Sequence, residues 1–144
     1  MGRYEKLPRW PLAACDEPRA FICERPPWTV FPATGHAYAV LQPADGLNAA
    51  AACATVGAHL ATITSAEENR FLAAMVNVEV GLGANNTGPD APYRWITGEP
   101  VAYQAFAPGE ADQKQPARCV ALDSDDLWHD RYCHPKYAVL CEID

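Results

Sequence analysis

The apolar positions of this chain change their period several times, and each change marks an element. After Pro26-Pro27 and Pro32, which read as a stiff connector, residues 36–41 alternate as a first strand does. Asp45 is placed to cap a helix that runs through Asn48, the alanines at 49–52 and Cys53 to about Val56, with Gly57 ending it. Ser65-Ala66-Glu67-Glu68 has the spacing of a capping box, in which the serine hydroxyl accepts from the N3 amide and the Glu68 carboxylate reaches back. A second helix is therefore predicted from Ala66 to about Val76, with Phe71, Leu72, Met75 and Val76 as its buried stripe. From residue 84 to 117 the periodicity gives way to Pro, Gly, Asn and Asp, with isolated aromatics at Tyr93, Trp95, Tyr103 and Phe106. So long an irregular stretch inside a compact domain is disordered or functional, and the embedded aromatics point to an ordered, functional loop. Two closing strands are predicted near 119–122 and 137–141, with Asp123-Ser124-Asp125-Asp126 as the turn after the first.

One spacing, Trp-x4-Cys-x7-Cys-Glu, occurs twice: as Trp10, Cys15, Cys23, Glu24 and as Trp128, Cys133, Cys141, Glu142. The copies are separated by roughly the length of one modest domain. Residues 1–26 are accordingly read as the remnant of a preceding domain plus connector, and 27–144 as one domain. With 144 residues, 49% of them hydrophobic, the chain can bury one ordinary core.

Six cysteines without a Cys-x2-Cys pair indicate disulfides rather than structural zinc, and with them a secreted, periplasmic or cell-surface setting. Arg3, Glu5, Lys6, Pro8, Arg9 and Pro11 interrupt the place where an export signal would be apolar, so such a signal is expected outside this sequence. No stretch supplies the roughly twenty apolar residues of a membrane span. A formal charge of −7 argues against nucleic acid as a partner. The chain carries neither a Gly-x-Ser-x-Gly elbow nor a His-Glu-x-x-His motif, and no catalysis is expected of it.

Five segments in order carry a resemblance. The run from Gly57 to Asn69, reading GAHLATITSAEEN, joins the two helices. Val80-Gly81-Leu82-Gly83 follows, with Glu79 where a tryptophan would stand, and then Tyr93-Arg94-Trp95, Ala107-Pro108-Gly109-Glu110 and Leu127-Trp128-His129-Asp130. Together with four cysteines, these resemble the C-type lectin-like domain family over about residues 35–144, and residues 1–26 resemble the tail of a preceding copy. The resemblance implies an α+β fold of two helices on small antiparallel sheets with a long irregular loop, stapled by Cys53–Cys141 and Cys119–Cys133. It leaves Cys15 and Cys23 without their former partners.

The family also implies calcium held against the long loop, where a sugar diol completes the ion's oxygen shell. By position, Glu110, Asp112 and Asp130 match the ligands. Several positions depart from the pattern. Ala111 replaces a proline whose peptide bond is cis in the family, and a non-proline cis bond costs about 2.5–4 kcal/mol, so a different loop shape is expected. Arg118 precedes Cys119 where a glutamate is expected, and His129 offers nitrogen where a hard cation wants oxygen. Two readings stay open. In one, a glycan is bridged by calcium through Glu110, Asp112 and Asp130. In the other, an extracellular protein or a glycan binds without metal on the loop carrying Tyr103, Phe106, Arg118 and His129. A structural or assembly role, motivated by the repeated ending, is a third.

Overall fold

The structure is a computed structural model and describes residues 27–42, 48–112, 118–133 and 137–144. The remnant read at 1–26, its Cys15 and Cys23, and the Asp45 cap lie outside the described residues.

Helix α1, Ala49–Ala54, begins at Asn48, whose side-chain oxygen accepts from the Ala51 amide at 2.8 Å. The cap therefore falls at Asn48 rather than Asp45; asparagine caps as well as aspartate and stands directly before the alanine run. Gly57, with φ 74°, reverses the chain shortly after the helix, in a region that glycine enters at low cost. Helix α2, Ala66–Met75, starts as expected, with Ser65 Oγ accepting from the Glu68 amide at 3.2 Å. The other half of the box differs. Glu68 Oε2 accepts from the amide and hydroxyl of Thr64, at 2.7 and 3.1 Å, one residue earlier than a reciprocal box requires. Its Oε1 accepts from the Tyr38 hydroxyl at 2.5 Å, and this second partner draws the carboxylate inward, to 2% exposure. Leu72 and Val76 are buried in the core, while Phe71 and Met75 pack against it from a partly exposed position.

Eight strands follow the order β1-β2-β8-β4-β6-β7, with β3 paired to β8 and β5 to β4. They are β1 Thr29–Val30, β2 Ala37–Leu41, β3 His59–Leu60, β4 Val80–Asn85, β5 Arg94–Trp95, β6 Arg118–Leu122, β7 Trp128–Tyr132 and β8 Val139–Ile143. Every pairing is antiparallel except β4 with β8, which meet in parallel at Gly81 and Val139 and join the expected small ladders into one mixed sheet. A Cβ on Gly83 would lie 2.9 Å from the Leu60 carbonyl oxygen and 3.0 Å from that of Ala61, so β4 approaches the β3 segment only because this position is glycine.

Both disulfides implied by the resemblance are formed. Cys53–Cys141 ties α1 to β8, and Cys119–Cys133 ties β6 to the residue after β7. The fully buried Trp128 organises the underside of the long loop: Trp95, Tyr103 and Phe106 meet its ring edge-on, with centroids 5.8, 5.7 and 5.5 Å away. Its indole N–H donates to Asn69 Oδ1 at 2.7 Å, and Asn69 Nδ2 donates to the Asp126 carbonyl at 2.7 Å. Helix α2 thereby fixes both the β6–β7 turn and the start of β7.

Candidate ligand site on the long loop

Strand β7 begins with the anchored Trp128, so the next residues, His129 and Asp130, are delivered to the loop at a set height. The loop supplies Glu110, whose amide donates to the Ala107 carbonyl at 3.0 Å in a turn made possible by Gly109 at φ 82°. Ala107 in turn donates its amide to the Trp128 carbonyl at 2.9 Å, which locks the Glu110 turn onto β7. Ala111 takes φ 57°, the left-handed region, which costs a residue with a Cβ of order 1–2 kcal/mol. None of the peptide bonds of the described residues is cis.

Glu110 and Asp130 are brought together. Glu110 Oε2 accepts from the Asp130 backbone amide at 3.0 Å, and Oε1 lies 3.3 Å from His129 Nδ1 and 3.8 Å from Arg131 Nη1. A hydrogen bond from the Asp130 carboxyl, reinforced by the Asp130 amide, His129 and Arg131, outweighs the opposing effect of burial and holds Glu110 down at about 2. Asp130 moves the other way, raised by burial and by its hydrogen bond to Glu110. The pair thus divides its roles, with Glu110 the anion and Asp130 the group that retains a proton longer.

Asp112 is exposed at the rim of the loop. Arg118 lays its guanidinium over the Tyr132 ring, 4.2 Å from the centroid, and its positive charge acts on Asp130. Among the described residues its Nε is buried without an acceptor, as is the Tyr93 hydroxyl. Tyr93 stands among the same charges: burial first, then Asp130, raise it to about 12. Sequence reasoning placed Tyr93 in the loop without assigning it to the site, although its neighbours Arg94 and Trp95 formed the motif. Arg131 was missed as well. It forms a two-point pair with Glu79, Nε to Oε1 and Nη2 to Oε2 both at 2.9 Å, so the glutamate that replaces the family tryptophan has a partner on β7.

Tyr103 and Phe106, expected on the ligand face, turn their rings to Trp128, and Phe106 also meets Tyr93 at 5.2 Å. Both pack against the core while remaining partly exposed. The Asp123–Asp126 turn is present, with Asp123 Oδ1 accepting from the Ser124 amide and Asp125 Oδ1 from that of Leu127. A cavity of about 500 Å³ opens beside Leu60, Leu82, Ile96 and Val139. It shares Glu79, Arg131 and Tyr132 with the surroundings of the loop site, and its mainly apolar lining offers little chemistry.

Residues 45–143 match the family model of the lectin C-type domain. The chain belongs to the C-type lectin domain family. This lectin domain is 30% identical, over 96 residues, to an alpha-N-acetylgalactosamine-specific lectin of Patiria pectinifera; the match takes in 59% of the chain and 57% of that relative's length. Among solved structures it resembles the mouse scavenger receptor C-type lectin carbohydrate-recognition domain, with a TM-score of 0.69 and 23% identity over 84% of this chain and 98% of that one. It also resembles a calcium-independent type II antifreeze protein, with a TM-score of 0.67 and 24% identity over 87% and 96% of the two chains. These likenesses establish the fold of this lectin domain. Among the described residues, no helix is long and apolar enough to cross a membrane.

Proposed function

We propose that this domain is an extracellular recognition module that binds a glycan by direct hydrogen bonds, without a bridging calcium ion. The patch of Glu110, Asp112, Arg118, His129 and Asp130 would make the contact. The observation that carries this reading is the state of Glu110, whose two oxygens already face the Asp130 amide, His129 and Arg131.

The residues present fit calcium poorly. A calcium ion needs six to eight oxygens, whereas the groups around Glu110 are largely nitrogen donors, and Arg118 sets a further positive charge near Asp130. Glu110, Asp112 and Asp130 are not among the clusters of the described residues whose ligand atoms all lie within 4.8 Å of one another. A carboxylate pair flanked by Arg and His suits the hydroxyls of a sugar, which both donate and accept. The alpha-N-acetylgalactosamine-specific relative supports a glycan ligand, and the calcium-independent antifreeze protein supports a fold that stands without the ion. Two disulfides support a setting outside the reducing cytosol.

Binding is favoured over catalysis by the same geometry. Carboxyl groups that hydrogen-bond one another leave no room for a glycosidic oxygen, whereas retaining glycosidases hold theirs about 5–5.5 Å apart.

A glycan array that includes alpha-linked N-acetylgalactosamine, probed with the oxidised protein in calcium and again in strong chelator, tests the proposal. Binding that is equal in both buffers and weakened at least tenfold by Glu110→Gln is expected. Binding abolished by chelation, or no glycan bound at all by folded protein, would overturn it.

A further inference from the structure

Away from the loop, the start of β2, the β3 strand and the end of β8 bring two histidines and two carboxylates together. His36 Nδ1 lies 2.7 Å from Glu142 Oε1 and 4.0 Å from Asp144 Oδ1, and His59 Nε2 lies 3.1 Å from Asp144 Oδ1. Ligand atoms of His59, Glu142 and Asp144 all fall within 4.8 Å of one another. We propose that His36, His59, Glu142 and Asp144 form a binding site for a divalent transition-metal ion of the zinc class.

Three observations carry this. The first is spacing. Nitrogen and oxygen donors about 2.0–2.2 Å from a tetrahedral zinc ion stand about 3.3–3.5 Å from each other, and the three separations of 2.7, 3.1 and 4.0 Å bracket that value. Small side-chain rotations suffice, since His36 and His59 are about one-third exposed and Asp144 is 72% exposed.

The second is the tautomer of His59. Its Nδ1 lies 2.8 Å from the Leu60 carbonyl, which can only accept, so the ring proton is on Nδ1. In the neutral ring, Nε2 then presents a bare lone pair to the Asp144 carboxylate. Two acceptors at 3.1 Å need a cation between them, either a proton or a metal ion. A backbone carbonyl on the far ring nitrogen is also how metal-binding histidines are commonly oriented.

The third is the rear support of Glu142. This carboxylate is 1% exposed; its Oε2 accepts from the amide and hydroxyl of Thr62, at 2.8 and 3.0 Å. Oε1 accepts from the Tyr38 hydroxyl at 3.2 Å and faces His36. A second buried carboxylate, Glu68, shares that hydroxyl, so the region carries more negative than positive charge. One donor is thus rigid and buried while the other three open to solvent, which gives an ion both a fixed base and a way in.

The test is cobalt(II) spectroscopy and zinc calorimetry on the full oxidised chain, alongside His59→Gln, His36→Gln and Asp144→Asn. One zinc ion per chain, visible cobalt bands of tetrahedral intensity without a sulfur charge-transfer band, and at least tenfold weaker binding in each variant are expected. Millimolar calcium should not displace the cobalt, because two of the four donors are imidazole nitrogens. Asp144→Asn alters an exposed side chain and guards against loss of fold as the explanation. No binding, binding that the variants leave unchanged, or thiolate bands would each overturn the proposal.

Discussion

Trp128 and Asn69, 59 residues apart, are joined by a buried hydrogen bond of 2.7 Å from the indole to the side-chain amide oxygen. Because Asn69 also holds the Asp126 carbonyl, one side chain on α2 sets the β6–β7 turn, the start of β7 and hence the position of His129 and Asp130. Asn69→Ala leaves the buried Trp128 indole N–H unpaired and removes the partner of the half-buried Asp126 carbonyl. A loss of about 1–3 kcal/mol in urea denaturation is expected, together with weakened ligand binding. Stability within a few tenths of a kcal/mol of the parent would remove Asn69 from this role.

The two disulfides should differ in accessibility. Cys53 and Cys141 are fully buried, whereas Cys133 is exposed, so mild reductant followed by alkylation and mass spectrometry should label Cys119 and Cys133 first. Loss of Cys53–Cys141, which spans 88 residues, should be the costlier change, at about 4–5 kcal/mol against about 3 kcal/mol for the 14-residue link.

The Glu110–Asp130 pair predicts opposite pH signatures for two substitutions. Glu110 is lowered in the folded protein, to about 2, so its stabilisation is present above the unfolded carboxylate value and is lost as pH falls through the folded one. Glu110→Gln should therefore destabilise at neutral pH, with the deficit shrinking below about pH 4.5. Asp130 is raised, so its contribution is present when it is protonated and is lost as pH rises through its folded pKa. Asp130→Asn should equal or exceed the parent at neutral pH and lose that advantage in acid. Denaturation midpoints between pH 2 and 7, approximate limits set by these shifts, distinguish the two patterns.

Restoring the family proline by Ala111→Pro should not restore a calcium site. Ala111 sits at φ 57°, and proline is fixed near −65°, so the turn must rebuild at a cost in stability. Calcium affinity and thermal midpoint measured together check this; a gain in affinity at unchanged stability would contradict it.

Much of the fold could be read along the chain because its signals are local. Ser65 and Glu68 mark the start of α2, the alanine run marks α1, and the order of motifs with four cysteines implied the pairings that the structure contains. What escaped depends on distant partners. β4 is rich in glycine, which strand propensity discounts, and its Gly83 is explained only by the Leu60 carbonyl across the gap. β7 reads Trp-His-Asp-Arg-Tyr, too polar to suggest a strand until its pairing with β6 is seen. In the site, Glu110 and Asp130 were legible from motif positions. Arg131 and its pairing with Glu79 were not, since 52 residues separate them. Tyr103 and Phe106 looked like contact residues because loop aromatics often are, and only the central position of Trp128 shows what they pack against.

The most direct test of metal-free recognition at the loop is a calorimetric calcium titration of the oxidised protein beside Glu110→Gln. Indistinguishable isotherms are predicted, because the Glu110 oxygens are already engaged by His129, Arg131 and the Asp130 amide. Binding tighter than millimolar in the parent that disappears in the variant would contradict this account and restore calcium to the site.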